Sequence, residues 1–91
     1  MAQIYYVYRV TPSREDVDYE KLKQTIKSKL EPKYSVKGIE EEEIGFGIKA
    51  LKIHIVVPES DEYSTDEIEN ILSQIEDIGG YELEYFTRLG F

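Results

Sequence analysis

The sequence has no cysteine, no tryptophan, one histidine and only three prolines in 91 residues. Without cysteine, the chain has no disulfide, thiolate metal site or thiol nucleophile, and a reducing interior is permitted. No apolar run approaches the roughly 18 to 20 residues that a membrane span needs, and no signal peptide is visible. We therefore expect a cytoplasmic protein with no membrane partner.

Positive charge is also scarce, and it is nearly absent from the second part of the chain. The formal net charge is −8, and residues 53–91 contain Arg88 as their only basic residue against ten acids. A field of this sign repels phosphate backbones and anionic lipid. We therefore expect no direct nucleic-acid partner, and Arg88 stands out as an isolated cation.

The residues for hydrolytic or metal chemistry are missing as well. A single histidine, His54, makes a zinc site or a Ser-His-Asp triad improbable, and no glycine elbow surrounds a serine. The acidic run at positions 40–43 would point alternately to opposite faces of an extended chain, which favours a solvated sheet edge over a cation site. We predict no enzyme activity, no catalytic residue, no metal and no cofactor.

Hydrophobic periodicity in the first part of the chain predicts a strand, a helix and two further strands. Alternation over residues 4–10 is typical of a central strand, and Thr11 and Pro12 are expected to end it. A helix capped by Asp16 or Asp18 follows and stops at Pro32. Residues 34–39 form a weaker strand that runs into an acidic turn, and residues 48–57 alternate as a strand with one buried face.

The rest of the chain predicts a second helix and a fourth strand. Ser64 and Glu67 have capping-box spacing ahead of an apolar stripe that continues to Ile78, and Gly79 and Gly80 are expected to cap its end. Residues 81–86 alternate as the last strand. The order β-α-β-β-α-β predicts an α+β, ferredoxin-like sandwich: one domain over residues 1–91, with a four-stranded antiparallel sheet, two helices on one face, and strands one and three central.

The stretch Gly45-Phe46-Gly47 places an aromatic ring at a bend where glycine permits positive φ. Such a ring is either a lid on the core or a handle for a partner. The stretch also resembles part of the RNA-recognition consensus, although Ile44 and Ile48 replace its basic and second aromatic residues. An RNA-binding module of RNA-recognition-motif topology is therefore the alternative function, and a small-molecule-sensing domain of the same fold is a third.

The string from Ile44 to Leu51, Ile-Gly-Phe-Gly-Ile-Lys-Ala-Leu, resembles the archaeal elongation factor 1-beta family. The resemblance covers nearly the whole chain, from the opening strand through Asp-Val-Asp before helix one to the closing Thr-Arg-Leu. It implies the same β-α-β-β-α-β sandwich. It also implies a guanine-nucleotide exchange factor that acts on the GTPase elongation factor 1-alpha, so that this GTPase can again bind GTP and aminoacyl-tRNA.

The resemblance also implies which residues contact the GTPase. Phe46 matches the aromatic that docks on the second domain of the GTPase, and Gly45, Gly47 and Lys49 accompany it. Arg88 matches a C-terminal lysine directed toward the magnesium and switch region. Leu89 follows it as an apolar anchor. The chain departs from the eukaryotic pattern in having arginine at position 88 and in continuing with Gly90 and Phe91.

Overall fold

A computed structural model describes residues 2–90 as a four-stranded antiparallel sheet with two helices. The strands lie in the order β2-β3-β1-β4, so β1 and β3 are central, as predicted. The order β-α-β-β-α-β and the ferredoxin-like α+β fold are confirmed. The elements are β1 (Gln3–Pro12), α1 (Tyr19–Leu30), β2 (Ser35–Gly45), β3 (Ile48–Pro58), α2 (Thr65–Ser73) and β4 (Ile78–Leu89).

The core lies between the helices and one face of the sheet. Alternate residues of the two central strands point into it, because side chains of a strand alternate between its faces. The hydroxyl of the fully buried Tyr8 donates a hydrogen bond to Glu69 Oε2 at 3.1 Å, which satisfies the one polar group of that ring. The side chains with at most 1% exposure include Tyr8, Val10, Leu22, Ile26, Leu30, Tyr34, Leu51, Ile53, Ile55, Val57, Ile68 and Leu72.

Both helices begin at the caps that the sequence indicates. Asp18, one of two predicted candidates, accepts a hydrogen bond from the Lys21 amide at 3.1 Å. Ser64 accepts one from the Glu67 amide at 3.1 Å. A short side-chain oxygen at this position satisfies an amide that has no partner within the helix.

The acidic segment does not form a turn, and in this respect the prediction was wrong. Strand β2 continues through the glutamates to Gly45, and its residues pair with β3 in the registers Glu40↔Lys52 and Glu43↔Lys49. Opposite charges on neighbouring strands stabilise such pairing. The cations of β3 therefore allow a run of acids to remain extended at the edge of the sheet.

The predicted glycine cap of α2 was also wrong. The helix ends at Ser73, and Gly79 and Gly80 belong to β4, with neither at positive φ. A Cβ on Gly79 would lie 2.8 Å from the Pro12 carbonyl oxygen. Gly79 is therefore explained by the close approach of β1, which itself continues through Thr11 to Pro12 instead of breaking there.

None of the helices within residues 2–90 is long and apolar enough to cross a membrane.

Candidate functional site

The hairpin between β2 and β3 ends in a two-residue loop that presents Phe46. Gly45 pairs with Ile48, so Phe46 and Gly47 are the two central residues of the turn. Their φ angles are 54° and 77°, and positive φ at both positions is the requirement of a type I′ hairpin turn. Gly45 also has positive φ, at 119°. The prediction that these glycines provide left-handed backbone is confirmed.

The Phe46 side chain is directed away from the protein. It is 103% exposed, the largest exposure among the large hydrophobic side chains of residues 2–90, so it is not a lid on the core. Positive φ in a residue with a Cβ costs about 1 to 2 kcal/mol. The turn thus holds an apolar ring in water on a disfavoured backbone, and neither feature contributes to the stability of the isolated domain.

Ile44 adds a second apolar side chain to the tip of the hairpin. It lies at a register shift between Glu43 and Gly45 and is 43% exposed. Ile44 was not among the residues predicted to contact a partner. The missed signal was an aliphatic residue directly after four acids and before a glycine turn, which is an unusual place for a side chain that packs inside.

The base of the hairpin is held by charged and polar contacts to α1. Glu41 binds Lys49 Nζ at 2.9 Å and also pairs with Lys23 of α1. Hydrogen bonds from Lys23 and Lys49 lower the pKa of Glu41 to about 2. The backbone amide of Lys49 donates to the Tyr19 hydroxyl at 3.0 Å. Lys49, predicted to contact a partner, therefore also fixes the hairpin to the helix.

The second predicted contact point, Arg88, lies near the end of β4. It pairs across the sheet with Ile4 of β1, next to the point where β3 ends at Pro58. Its Nη2 donates to Glu59 Oε1 at 2.6 Å, so the residue that is isolated in sequence has an acidic neighbour in space. The Arg88 side chain is still 64% exposed.

Leu89 follows Arg88 and is 38% exposed, so an apolar side chain lies beside the cation. Phe91, the last residue of the predicted tail, lies outside the described residues.

Phe46 and Arg88 lie at opposite ends of the molecule. The turn adjoins the start of the 11-residue strand β3, whereas Arg88 lies beside its end. A strand of that length spans about 33 Å at roughly 3.3 Å per residue, and the longest dimension of the fold is 42 Å. The two predicted contact points are therefore not brought together, and a single partner would have to touch both ends of the sheet.

The sequence matches the family described as the EF-1 guanine nucleotide exchange domain over residues 5–89. The chain belongs to this family. It is 90% identical over 91 residues to elongation factor 1-beta of Caldivirga maquilingensis, covering all of both chains. It is 59% identical over 90 residues to elongation factor 1-beta of Pyrobaculum calidifontis, covering 99% of this chain and 98% of the relative.

A more distant relative is elongation factor 1-beta of Desulfurococcus amylolyticus, 37% identical over 89 residues, which cover 98% of this chain and 99% of the relative. The predicted likeness to archaeal elongation factor 1-beta is thus confirmed over the full sequence. Family membership makes the chain a translation elongation factor with a guanine-nucleotide exchange function. This role is not that of an enzyme acting on a substrate of its own.

Phe46 does not lie on the open face of the exchange domain, which is the face of the sheet that the helices leave uncovered. An RNA-recognition module stacks bases on aromatic residues of its central strands, whereas Phe46 lies at the tip of a hairpin. The open face does carry Tyr5, whose ring stacks on His54 at 5.8 Å between centroids. The Nε2 ring nitrogen of His54 is hydrogen-bonded to Glu40.

Two cations near those rings, Arg9 and Lys52, form ion pairs with carboxylates. Lys52 Nζ lies 3.1 Å from Glu42 Oε2 and 3.7 Å from Glu84 Oε2, and Arg9 Nε lies 3.3 Å from Glu42 Oε1. Phosphate contacts supply most of the affinity of nucleic-acid binding. This face of the exchange domain is therefore poorly suited to RNA.

Within residues 2–90, no group of three or more histidines, cysteines or carboxylates is placed to hold a metal ion. Glu41 and Glu42 of the acidic stretch form ion pairs with lysine and arginine side chains instead.

Proposed function

We propose that this chain promotes the exchange of GDP for GTP on elongation factor 1-alpha, in the cytoplasm. The observation that carries the proposal is the fully exposed Phe46 on a positive-φ turn, in a chain of the EF-1 exchange-domain family. Exposed apolar groups held on strained backbone are characteristic of binding sites.

The hairpin tip provides the first contact with the GTPase. Phe46 inserts into an apolar pocket on its second domain, Gly45 and Gly47 hold the ring in place, and Ile44 widens the apolar surface. Lys49 lies at the margin of this contact. A rigid aromatic in a desolvated pocket is the usual form of an interface anchor, because it buries a large area at a small cost in side-chain entropy.

The tail end provides the second contact, near the nucleotide. The diphosphate of bound GDP is neutralised by Mg²⁺ and by the backbone amides and lysine of the P-loop. A factor that shifts the switch segments and loosens the metal removes this compensation and speeds GDP loss. The Arg88 guanidinium then supplies part of the missing positive charge, while Leu89 packs beside it.

The sheet acts as a stiff connection between the two contacts. Strand β3 joins the hairpin tip to the region of Arg88 and is paired with β2 from Ile48 to Val56 and with β1 from Leu51 to Pro58. A stiff connection of about 33 Å converts binding at one domain of the GTPase into a directed contact at another. The factor itself leaves the exchange equilibrium unchanged, and an excess of GTP sets the direction.

Stopped-flow release of a fluorescent GDP analogue from elongation factor 1-alpha tests the proposal. We expect the protein, at about micromolar concentration, to accelerate release in a saturable way with excess unlabelled GTP present. No acceleration over the spontaneous rate would reject the proposal. Bovine serum albumin at the same concentration controls for nonspecific effects on the fluorophore.

A further inference from the structure

A groove of about 240 Å³ runs between α1 and the outer side of β2, on the helix-covered face of the sheet. Its floor is apolar, formed by Val36 and Ile39, and both side chains pack against the core. Lys23, Lys27 and Lys37 line it, and no carboxylate does. We call this the β2 groove. It shares no residue with the hairpin tip or with Arg88.

The strand beside the β2 groove has a free edge. β2 is the outermost strand and pairs only with β3 among the described residues, so its other side carries backbone groups without sheet partners. The Val36 amide donates to Glu31 Oε2 at 3.4 Å, so the edge that a further strand can use begins at Lys37. Exposed edges invite pairing with other chains, and charged side chains normally oppose it. Here the acids occupy only positions 40–43, and the preceding segment from Val36 to Ile39 carries a single charge, that of Lys37.

The cations of the β2 groove are not all neutralised within the molecule. Lys23 pairs with Glu41 and lies 3.2 Å from Glu20. Lys27 and Lys37, by contrast, form no ion pair with any residue in the range 2–90. In a chain of net charge −8, two unneutralised cations beside an apolar floor make a site for a ligand that is both acidic and apolar.

We propose that the β2 groove binds an extended acidic peptide segment of a partner protein. The segment adds as a further strand to the free edge of β2, with backbone hydrogen bonds along Lys37 to Ile39. One of its apolar side chains occupies the floor against α1, and its carboxylates face Lys27 and Lys37. Backbone pairing supplies affinity in this mode of recognition, and the groove and lysines supply selectivity.

Two other occupants fit less well. A phosphate backbone would use the lysines but leave the apolar floor of Val36 and Ile39 without a counterpart. A second copy of this chain, paired antiparallel through the same segment about a two-fold axis, would bring Lys37 close to its own symmetry mate. Like charges on opposed strands destabilise such pairing.

The test is a ¹H–¹⁵N titration of the full chain with a blocked peptide of about seven residues that alternates glutamate with valine or leucine. We expect saturable chemical-shift changes confined to the amides of Lys37, Gly38, Ile39 and α1. Peptide binding should weaken as salt is added. Replacing glutamate by lysine, or methylating alternate backbone nitrogens of the peptide, should abolish binding. No shift at millimolar peptide, or shifts outside the β2 groove, would overturn the proposal.

Charge-reversal variants test whether Lys27 and Lys37 bind the acidic peptide. The double variant Lys27→Glu and Lys37→Glu should weaken peptide binding at least about tenfold. The control is the double variant Lys21→Glu and Lys29→Glu, whose lysines are exposed on α1 but lie outside the groove, and it should bind the peptide like the wild type. Both should retain wild-type GDP release. Equal loss in both variants, preferential binding of an oligouridylate, or a concentration-dependent dimer formed through β2 would each overturn the peptide assignment.

Discussion

Arg88 Nη2 donates a hydrogen bond to Glu59 Oε1 at 2.6 Å across the end of the sheet. The Arg88 side chain is 64% exposed and the Glu59 side chain is 40% exposed. An exposed ion pair of this kind contributes less than about 1 kcal/mol to the free energy of folding. Arg88 can therefore exchange Glu59 for a partner at little cost. Glu59 is therefore a counter-charge that Arg88 can give up when a partner binds.

From this we predict that Arg88→Ala slows stimulated GDP release about tenfold at saturating factor, equivalent to roughly 1.4 kcal/mol of barrier. In the proposed mechanism Arg88 supplies part of the positive charge that is missing when Mg²⁺ is loosened, so the complex itself should weaken less than release slows. Arg88→Lys is the matched variant. If charge alone matters it should keep most of the activity, and if the planar fork matters it should resemble alanine.

The acidic partner gives an independent prediction. Glu59→Gln leaves Arg88 without its internal counter-charge. We therefore expect the maximal rate of GDP release to be unchanged, and the concentration of factor that gives half of this rate to be equal or slightly lower. Urea unfolding should change by less than about 1 kcal/mol. A Glu59→Gln protein that loses exchange activity while remaining folded would show that the ion pair, and not the free guanidinium, is the functional unit.

For the hairpin tip, we predict that Phe46→Ala weakens binding to elongation factor 1-alpha by about 2 to 4 kcal/mol while leaving stability unchanged. A side chain that is 103% exposed loses no packing on truncation. Isothermal titration calorimetry and urea unfolding measure the two quantities. Tyr85→Ala, on the open face and 53% exposed, is the matched aromatic control. Equal effects of both substitutions on binding would remove the special role of Phe46.

The sequence predicted the fold because its strongest signals are local. Asp18 and Ser64 cap their helices through contacts a few residues away, and the apolar alternation of β1 and β3 reports burial on a pleated strand. The glycines around Phe46 likewise indicated the turn from its immediate neighbours. Each of these features can be recognised without knowing which segments meet in space.

The failures concern contacts between distant segments. The acids of β2 remain extended because lysines of β3 lie opposite them, and β4 begins at Ile78 because Gly79 admits the backbone of Pro12. The groove beside Val36 could not be foreseen, since it depends on how α1 lies on the sheet. Nor could the Glu59 partner of Arg88, which is 29 positions away.

We predict that Gly79→Ala destabilises the protein by about 1 to 3 kcal/mol. The added methyl would lie 2.8 Å from the Pro12 oxygen and 2.9 Å from Ser13 Cα, both backbone atoms that cannot rotate away. Gly38→Ala is the control, because nothing lies within 4 Å of the position of its Cβ and its φ is not positive. That substitution should be neutral or slightly stabilising. Urea unfolding measures both, and equal stabilities would contradict the close approach of β1 and β4.

The last prediction concerns the acid side of the stability profile. Glu41 has a folded-state pKa of about 2, below its ordinary value of 4.5, because Lys23 and Lys49 donate hydrogen bonds to its carboxylate. A group whose pKa is lowered by folding stabilises the protein above the unfolded-state value and loses that contribution as the pH falls through the folded-state value. Stability contributed by Glu41 should therefore be complete near neutral pH and decline between pH 4.5 and about 2.

Glu41→Gln should consequently show a flatter dependence of unfolding free energy on pH over that interval, with most of its destabilisation visible at pH 7 and little at the acid end. Urea unfolding at a series of pH values measures this, with Glu43→Gln as a neighbouring control. Because the same carboxylate ties the hairpin base to α1, hydrogen exchange at the Lys49 amide should also accelerate in the Glu41 variant. Parallel pH profiles for Glu41→Gln and wild type would show that the triad of Glu41, Lys23 and Lys49 does not form in solution.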